Sequence, residues 1–329
     1  MMKAAMIGAG FIADFHAEGY SRLPDVHLAA VCDTDAAKAQ ALAGKWRCAA
    51  YSSAEEMLQK ERPDVVSVCL PTFLHEEYTV LALRAGAHVL CEKPMALSMD
   101  ACRRMAEAAR HAGKLLMIGQ VLRWWPEYQT IAREIDRMGT PEFLSVQRLQ
   151  HASRTAWLAD PEKGGGVCFD LFVHDLDFLC SRFGYAPEIR AASGMMGPEG
   201  SWRSLCVMLA WPGGAAAKIE ASNLMPAGFP FTAAFRADWQ KACLSYTFRA
   251  PVNIQKDAKT QTEFLLFENG DVRPLPFPEG AQTEAFNREI AAFVRGAQSG
   301  VNPLPPEDTL AVMAVIHRVK NMLDAGRTA

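Results

Sequence analysis

The chain has no CxxC pair, no block of like charge and no apolar stretch long enough to cross a bilayer, and each absence closes off a class of function. Nine cysteines are scattered singly between Cys32 and Cys243. An odd number without ligand spacing argues against a disulfide framework and a structural zinc site, and fits a reducing cytoplasm. The 34 basic and 37 acidic side chains leave a formal net charge of −3 with no run of either sign. Nothing therefore calls for nucleic acid or an anionic membrane surface as a partner. No membrane span is expected, and no signal-peptide pattern precedes the first apolar run. Internal repeats and low-complexity tracts are also missing. What remains is a chain of 329 residues, half of them hydrophobic, for which two domains are the natural expectation.

The N-terminus carries the strongest local signal. Ala4-Ala5-Met6-Ile7 runs straight into Gly8-Ala9-Gly10-Phe11-Ile12-Ala13, and a helix-compatible stretch follows to Leu23. A strand, a glycine turn and a helix in that order make the phosphate-binding element of a doubly wound α/β domain. Gly8 allows the tight turn. Gly10 lets the backbone approach a pyrophosphate, and Phe11 and Ile12 open a helix whose free N–H groups face the anion. Val26–Cys32 reads as a second buried strand and ends at Asp33. An acidic residue there accepts hydrogen bonds from the adenine ribose, and a 2′-phosphate would meet like charge. NAD is thus expected ahead of NADP. The competing reading makes Asp33 or Thr34 an N-cap for the Ala-rich helix that follows.

Strand and helix keep alternating. Asp64–Leu70 is a strand leading into Pro71-Thr72-Phe73-Leu74-His75, Ala87–Cys91 is a strand leading into Glu92-Lys93-Pro94, and Lys114–Gly119 is a strand leading into Gln120. A parallel sheet follows, with ligands at the carboxyl ends of its strands. Leu70, Pro71, Thr72, His75, Glu92, Lys93 and Gln120 fall on that edge and join the glycine turn as candidate cofactor contacts. His75 reads as a loop-to-helix packing or capping residue rather than a catalyst. Lys93 is either a solvated charge or a functional group held by the proline beside it.

After Gly119 the pattern changes. Strand-like runs predominate from residue 187, with Gly and Pro in the turns, and two helices close the chain. This reads as an α+β domain on a large, mostly antiparallel sheet. Apolar side chains on its free face would make a subunit interface. The expected division is a nucleotide domain over 1–121 and a substrate and oligomerisation domain over 122–329. One helix stands apart, running from Gly164-Gly165-Gly166 through Asp170, His174 and Asp177 to about Phe183. Asp170 and His174 are four apart and share a face. A carboxylate beside an imidazole suits acid–base work. A surface ion pair or a satisfied core histidine is the plainer reading. No second His stands at ligand spacing, so no metal is expected.

Taken together, GAGFIA at 8–13, Asp33, PTFLH at 71–75, EKP at 92–94, RWWP at 123–126 and GGGVCFDLFVHDLD at 164–177 resemble the Gfo/Idh/MocA family of oxidoreductases, along nearly the whole chain. The resemblance implies a Rossmann domain followed by an α/β domain whose open sheet often builds dimers or tetramers. It implies Lys93 as a catalytic lysine, often followed by a cis proline, and Asp170 and His174 as the carboxylate and histidine of the site. The implied reaction is reversible oxidation of a secondary alcohol on a sugar or cyclitol. A relative using transient oxidation, as in NAD-dependent glycosidases or epimerases, is the alternative, and a non-catalytic NAD(H)-binding regulator a further one. Arg123, His151, Arg154 and Trp157 lie where the family's substrate-facing loops fall, and a structural role is equally open for each. Phe172, the first of the two residues before His174, is bulkier than the small residue of the family pattern, and it either narrows a pocket or packs under the helix.

Overall fold

The computed structural model describes residues 1–153, 155–251, 259–278 and 280–326. The chain forms two compact units.

The first unit is a six-stranded parallel sheet in the order β3-β2-β1-β4-β5-β6. In chain order its elements are β1 (Met2–Ile7), α1 (Phe11–Ser21), β2 (Val26–Cys32), α2 (Ala36–Trp46), β3 (Ala49–Tyr51), α3 (Ala54–Glu61), β4 (Val65–Val68), α4 (His75–Arg84), β5 (His88–Glu92), α5 (Met99–Ala112) and β6 (Leu116–Gly119). All four residues of β4 are buried, which explains why the strand reads as continuous rather than alternating. Ser98 caps α5 by accepting the Ala101 N–H at 3.2 Å, and Gly113 ends that helix at φ 61°. Both features follow from helix-end chemistry. Because every strand runs the same way, the turns after β1, β2, β4, β5 and β6 share one edge.

Two elements of this unit, β3 and α3, are missing from the sequence reading. A larger difference concerns the boundary. The expectation keeps residues 122–329 together, whereas Thr283–Leu310 belongs to the first unit and the second takes Leu122–Gln282 and the chain from Ala311 on. The returning segment carries most of α10 (Ala281–Ser299) and the start of α11 (Pro306–Ala325). Phe286 of α10 packs on Phe15 of α1 with ring centroids 4.9 Å apart.

The second unit holds α6 (Pro126–Met138), β7 (Phe143–His151), α7 (Ala156–Ala159), α8 (Val167–Asp170) and α9 (Phe172–Phe183). Then come β8 (Glu188–Met196), β9 (Trp202–Ala210), β10 (Ala216–Met225), β11 (Phe231–Trp239), β12 (Ala242–Ala250), β13 (Gln261–Glu268) and β14 (Asp271–Pro274). The eight strands order as β14-β13-β12-β11-β7-β10-β9-β8. Among the described residues β7 and β10 are parallel and the other neighbours antiparallel. Alternation along β7 buries Leu144, Val146 and Arg148 on one face. Arg148 forms a two-pronged ion pair with Asp175 of α9 at 2.8 and 2.9 Å and donates to the Tyr128 hydroxyl at 3.2 Å. A charge pair this buried needs such geometry to offset desolvation, and it pins α9 to the sheet. On the other face Gln147 donates to Glu220 at 3.1 Å and Lys218 pairs with Glu220 at 3.1 Å. That part of the free face is polar rather than apolar. Among the described residues no helix is long and apolar enough to cross a membrane.

Candidate cofactor and active site

In the first unit the glycine turn has a built shape. Gly8 sits at φ +102°, and a Cβ there would fall 2.2 Å from the Cys69 carbonyl oxygen. Only glycine fits. Gly10 opens α1 without any side-chain cap, and a Cβ on it would meet nothing within 4 Å. The helix start therefore presents uncapped N–H groups beside open space, which is what an anionic group requires. Phe11 is exposed and Ile12 half-buried at this end.

Asp33 ties the turn together. Its Oδ2 accepts the Ala9 N–H at 2.8 Å and its Oδ1 accepts the Asp35 N–H at 2.9 Å. Asp35, not Asp33 or Thr34, caps α2. Each carboxylate oxygen of Asp33 keeps a further lone pair for a hydroxyl donor.

Along the same edge, Leu70 and Pro71 are half-buried, and Thr72 starts a short 3-10 turn ending at Leu74. His75 is fully buried, with Nε2 2.8 Å from the Leu70 carbonyl and Nδ1 2.8 Å from the Pro94 carbonyl. The ring thus clamps two loops, and burial pushes its pKa down. Packing is the role these contacts describe. The Lys93–Pro94 peptide is cis. Gln120 is 1 % exposed, and neither polar atom of its side-chain amide has a partner. An orphaned amide buried at the ligand edge points to a missing polar group. With the Gly8–Gly10 cradle it makes this edge fit a dinucleotide.

The sequence reading misses one polar cluster here. His16 of α1 stands 3.0 Å from Glu92 through Nε2 and 2.9 Å from Ser67 through Nδ1, and the Tyr20 hydroxyl reaches Ser67 at 2.8 Å. His16, Glu92 and Glu289 of α10 are all buried and place one ligand-type atom each within 4.8 Å of one another. His16 and Tyr20 are four apart on α1, so their shared face is the signal that could have revealed the cluster.

In the second unit the predicted single helix is two. The glycines lie outside it, α8 ends at Asp170, and α9 begins at Phe172. Leu171 between them stays right-handed at φ −102°, ψ −49°, so Asp170 and His174 remain about one turn apart in the chain. Both are half-buried. The glycines answer to packing. A Cβ on Gly164 would meet the Trp157 carbonyl oxygen at 2.6 Å, and one on Gly166 would meet the Trp202 carbonyl oxygen at 2.7 Å. Phe172 and Val173 are fully buried, in line with packing under the helix. Asp177 takes the Arg123 guanidinium in two bonds of 2.7 and 2.8 Å, and Tyr185 accepts a third at 3.2 Å. These partners are those of the structural reading of Arg123. His151 lies at the end of β7 with Nδ1 3.0 Å from the Ala152 carbonyl, Trp157 is half-buried on α7, and Arg154 lies outside the described residues.

Residues 2–120 match the model of an oxidoreductase family with an NAD-binding Rossmann fold, and residues 128–238 match that family's C-terminal domain. The chain belongs to the Gfo/Idh/MocA family. Among its relatives in this family, D-glucoside 3-dehydrogenase of Escherichia coli is 34 % identical over 58 % of this chain and 56 % of its own length. Inositol 2-dehydrogenase of Rhizobium meliloti is 26 % identical over 95 % of this chain and 94 % of its own. A solved structure of UDP-N-acetylglucosamine 3-dehydrogenase from Acidithiobacillus ferrooxidans shares the fold, with a TM-score of 0.82 at 24 % identity and 98 % coverage of each chain. So does a 3-ketoreductase from Actinomadura kijaniata in complex with NADP and TDP-benzene, with a TM-score of 0.85 at 19 % identity over 98 % of each chain. The two curated relatives named here are both dehydrogenases.

Proposed function

We propose that this chain is a nicotinamide-dependent dehydrogenase that reversibly oxidises a secondary alcohol of a sugar or cyclitol. The observation that carries this reading is the glycine cradle at Gly8–Gly10, opening onto the uncapped start of α1, with Lys93 on the same sheet edge. The cofactor supplies the hydride acceptor, and the protein supplies position and charge. Lys93 donates a hydrogen bond to the reacting oxygen and stabilises charge there. His174 takes the hydroxyl proton as general base. Asp170 orients substrate or imidazole, and His151 and Trp157 contact the substrate.

NAD is assigned ahead of NADP. A 2′-phosphate beside β2 would meet Asp33, and the nearby Asp35 already holds Lys38 at 3.4 Å. A homo-oligomer through the eight-stranded sheet and a cytoplasmic location complete the reading. The test is a panel of sugars, uronates and inositols, with NAD and with NADP, followed by the absorbance of the reduced cofactor. Turnover of a polyol with NAD is expected. Silence across the panel, with cofactor bound, excludes net dehydrogenation of that substrate class.

A further inference from the structure

The turns that follow β1 and β4 carry aromatic surface that their own packing leaves uncovered. The two strands pair in parallel, with Ile7 beside Val68. Past those ends the turns touch, and the Cys69 carbonyl occupies the place a Cβ on Gly8 would need. A few residues further along each turn stand Phe11, 60 % exposed, and Phe73, 45 % exposed. Among the described residues of the first unit, the other large apolar side chains this open are Met1 and Val301. A single exposed apolar residue needs no explanation. Two phenylalanines on adjoining turns of the ligand edge call for one. Both are firmly mounted. Phe11 meets Phe15 edge-on, with ring centroids 5.4 Å apart. Phe73 lies in the 3-10 turn Thr72–Leu74, which the Leu74 N–H closes onto the Pro71 carbonyl at 2.9 Å. The buried His75 ring, set between the Leu70 and Pro94 carbonyls, holds the backbone around that turn. The turn is fixed while the ring it carries is open to solvent.

We infer that Phe73 is a cofactor-binding residue whose ring stacks on a flat heteroaromatic ring of the dinucleotide, on the β4 side of the Gly8–Gly10 cradle. The inference rests on the nicotinamide-dependent reading above. The polar features of this edge serve other parts of the cofactor. The cradle and the uncapped start of α1 suit the pyrophosphate, and Asp33 suits a ribose hydroxyl. Neither offers a surface to the face of a base. An aromatic side chain does, because π-faces stack on one another whatever the pattern of polar groups at their edges. A ring carried on a rigid turn also gives up little freedom when it is covered. Adenine and nicotinamide share this chemistry, and the two halves of the cofactor can be offered to the protein separately.

The test measures binding rather than turnover. NADH is titrated by its fluorescence into the full chain and into Phe73→Ala, Phe73→Leu and Phe73→Tyr. The dissociation constant is expected to rise about 5–100-fold in Phe73→Ala. Phe73→Leu keeps apolar bulk without a flat face and should lose most of the same affinity. Phe73→Tyr keeps the face and should stay within about twofold of the wild type. The melting temperature without cofactor should not move, since the ring is exposed. Calorimetric titration with AMP and with nicotinamide mononucleotide then locates the stack, in the fragment whose affinity falls in Phe73→Ala. An unmoved NADH affinity in folded Phe73→Ala overturns the inference, and Phe73→Leu decides the matter if that variant does not fold. A loss that Phe73→Tyr shares in full also overturns it, as does one spread equally over both fragments. A wild-type chain that binds neither NADH nor NADPH would sink the dehydrogenase reading itself, whereas an unmoved variant leaves that reading intact.

Discussion

Ile290 of α10 lies directly over Gly19 of α1, where a Cβ would come within 2.7 Å of its Cγ1 and 2.9 Å of its Cβ. The glycine is a contact surface, not a helix defect. Gly19→Ala gains about 1 kcal/mol of helix propensity but forces a shift of packed atoms worth about 1–3 kcal/mol. A lower melting temperature is expected, and the same change in an Ile290→Ala background should cost less. Equal losses in both backgrounds would remove the contact from the account.

Lys93→Ala and His174→Ala are each expected to lower turnover by about two to four orders of magnitude while the cofactor still binds. Stopped-flow turnover with a fluorescence measurement of cofactor affinity checks both halves. Near-normal turnover in either variant removes the role assigned to that residue.

Asp33→Ala is expected to narrow the preference for NAD over NADP. It should also destabilise by about 1–2 kcal/mol, because the Ala9 and Asp35 N–H groups lose their acceptor. Comparing kcat/KM for the two cofactors separates these effects. An unchanged ratio with lowered stability would leave Asp33 as a tie of the turn alone.

Arg123→Ala is expected to destabilise by about 3 kcal/mol, because it takes the two-bonded guanidinium away from the buried Asp177 carboxylate. The loss should shrink in an Asp177→Asn background. A raised KM with unchanged stability would instead restore Arg123 to the substrate.

His88 accepts the Leu115 N–H through Nδ1 at 3.0 Å. Burial and the nearby Lys114 push its pKa below the ordinary value. The folded state therefore binds its proton less readily than the unfolded chain, whose imidazole titrates near about 6.5. Its contribution is complete above that pH and is lost as pH falls from there toward the lower folded value. Urea midpoints across the mildly acid range should decline in the wild type and decline less in His88→Asn, whose amide oxygen can still accept. Parallel declines would acquit His88.

Much of the nucleotide unit was legible because its signals are local. Ile7 into Gly8, and Val65–Val68 into Pro71, announce buried strands and their turns within a few residues. The three residues of β3 are too short to show a period, and α3 hides behind a charged surface, although Ser53 with Glu56 three places on is a capping signal at its start. The break at Leu171 escaped because 167, 171 and 178 keep helical spacing on both sides of it. Asp33, Lys93 and the glycine turn were readable as candidates from position alone. The inward turn of Glu92 was not, since His16 lies 76 residues away in sequence. Gly19, likewise, carries no local mark of the helix that covers it.

The return of Thr283–Leu310 to the first unit has a consequence for biosynthesis. Synthesis runs from the N-terminus at about 5–20 residues per second, so β1 through β6 emerge long before α10 exists. For that interval the apolar patch around Phe15 and Gly19 waits uncovered on the ribosome, and the Rossmann unit is finished only after the eight-stranded sheet that precedes α10 in the chain has been made.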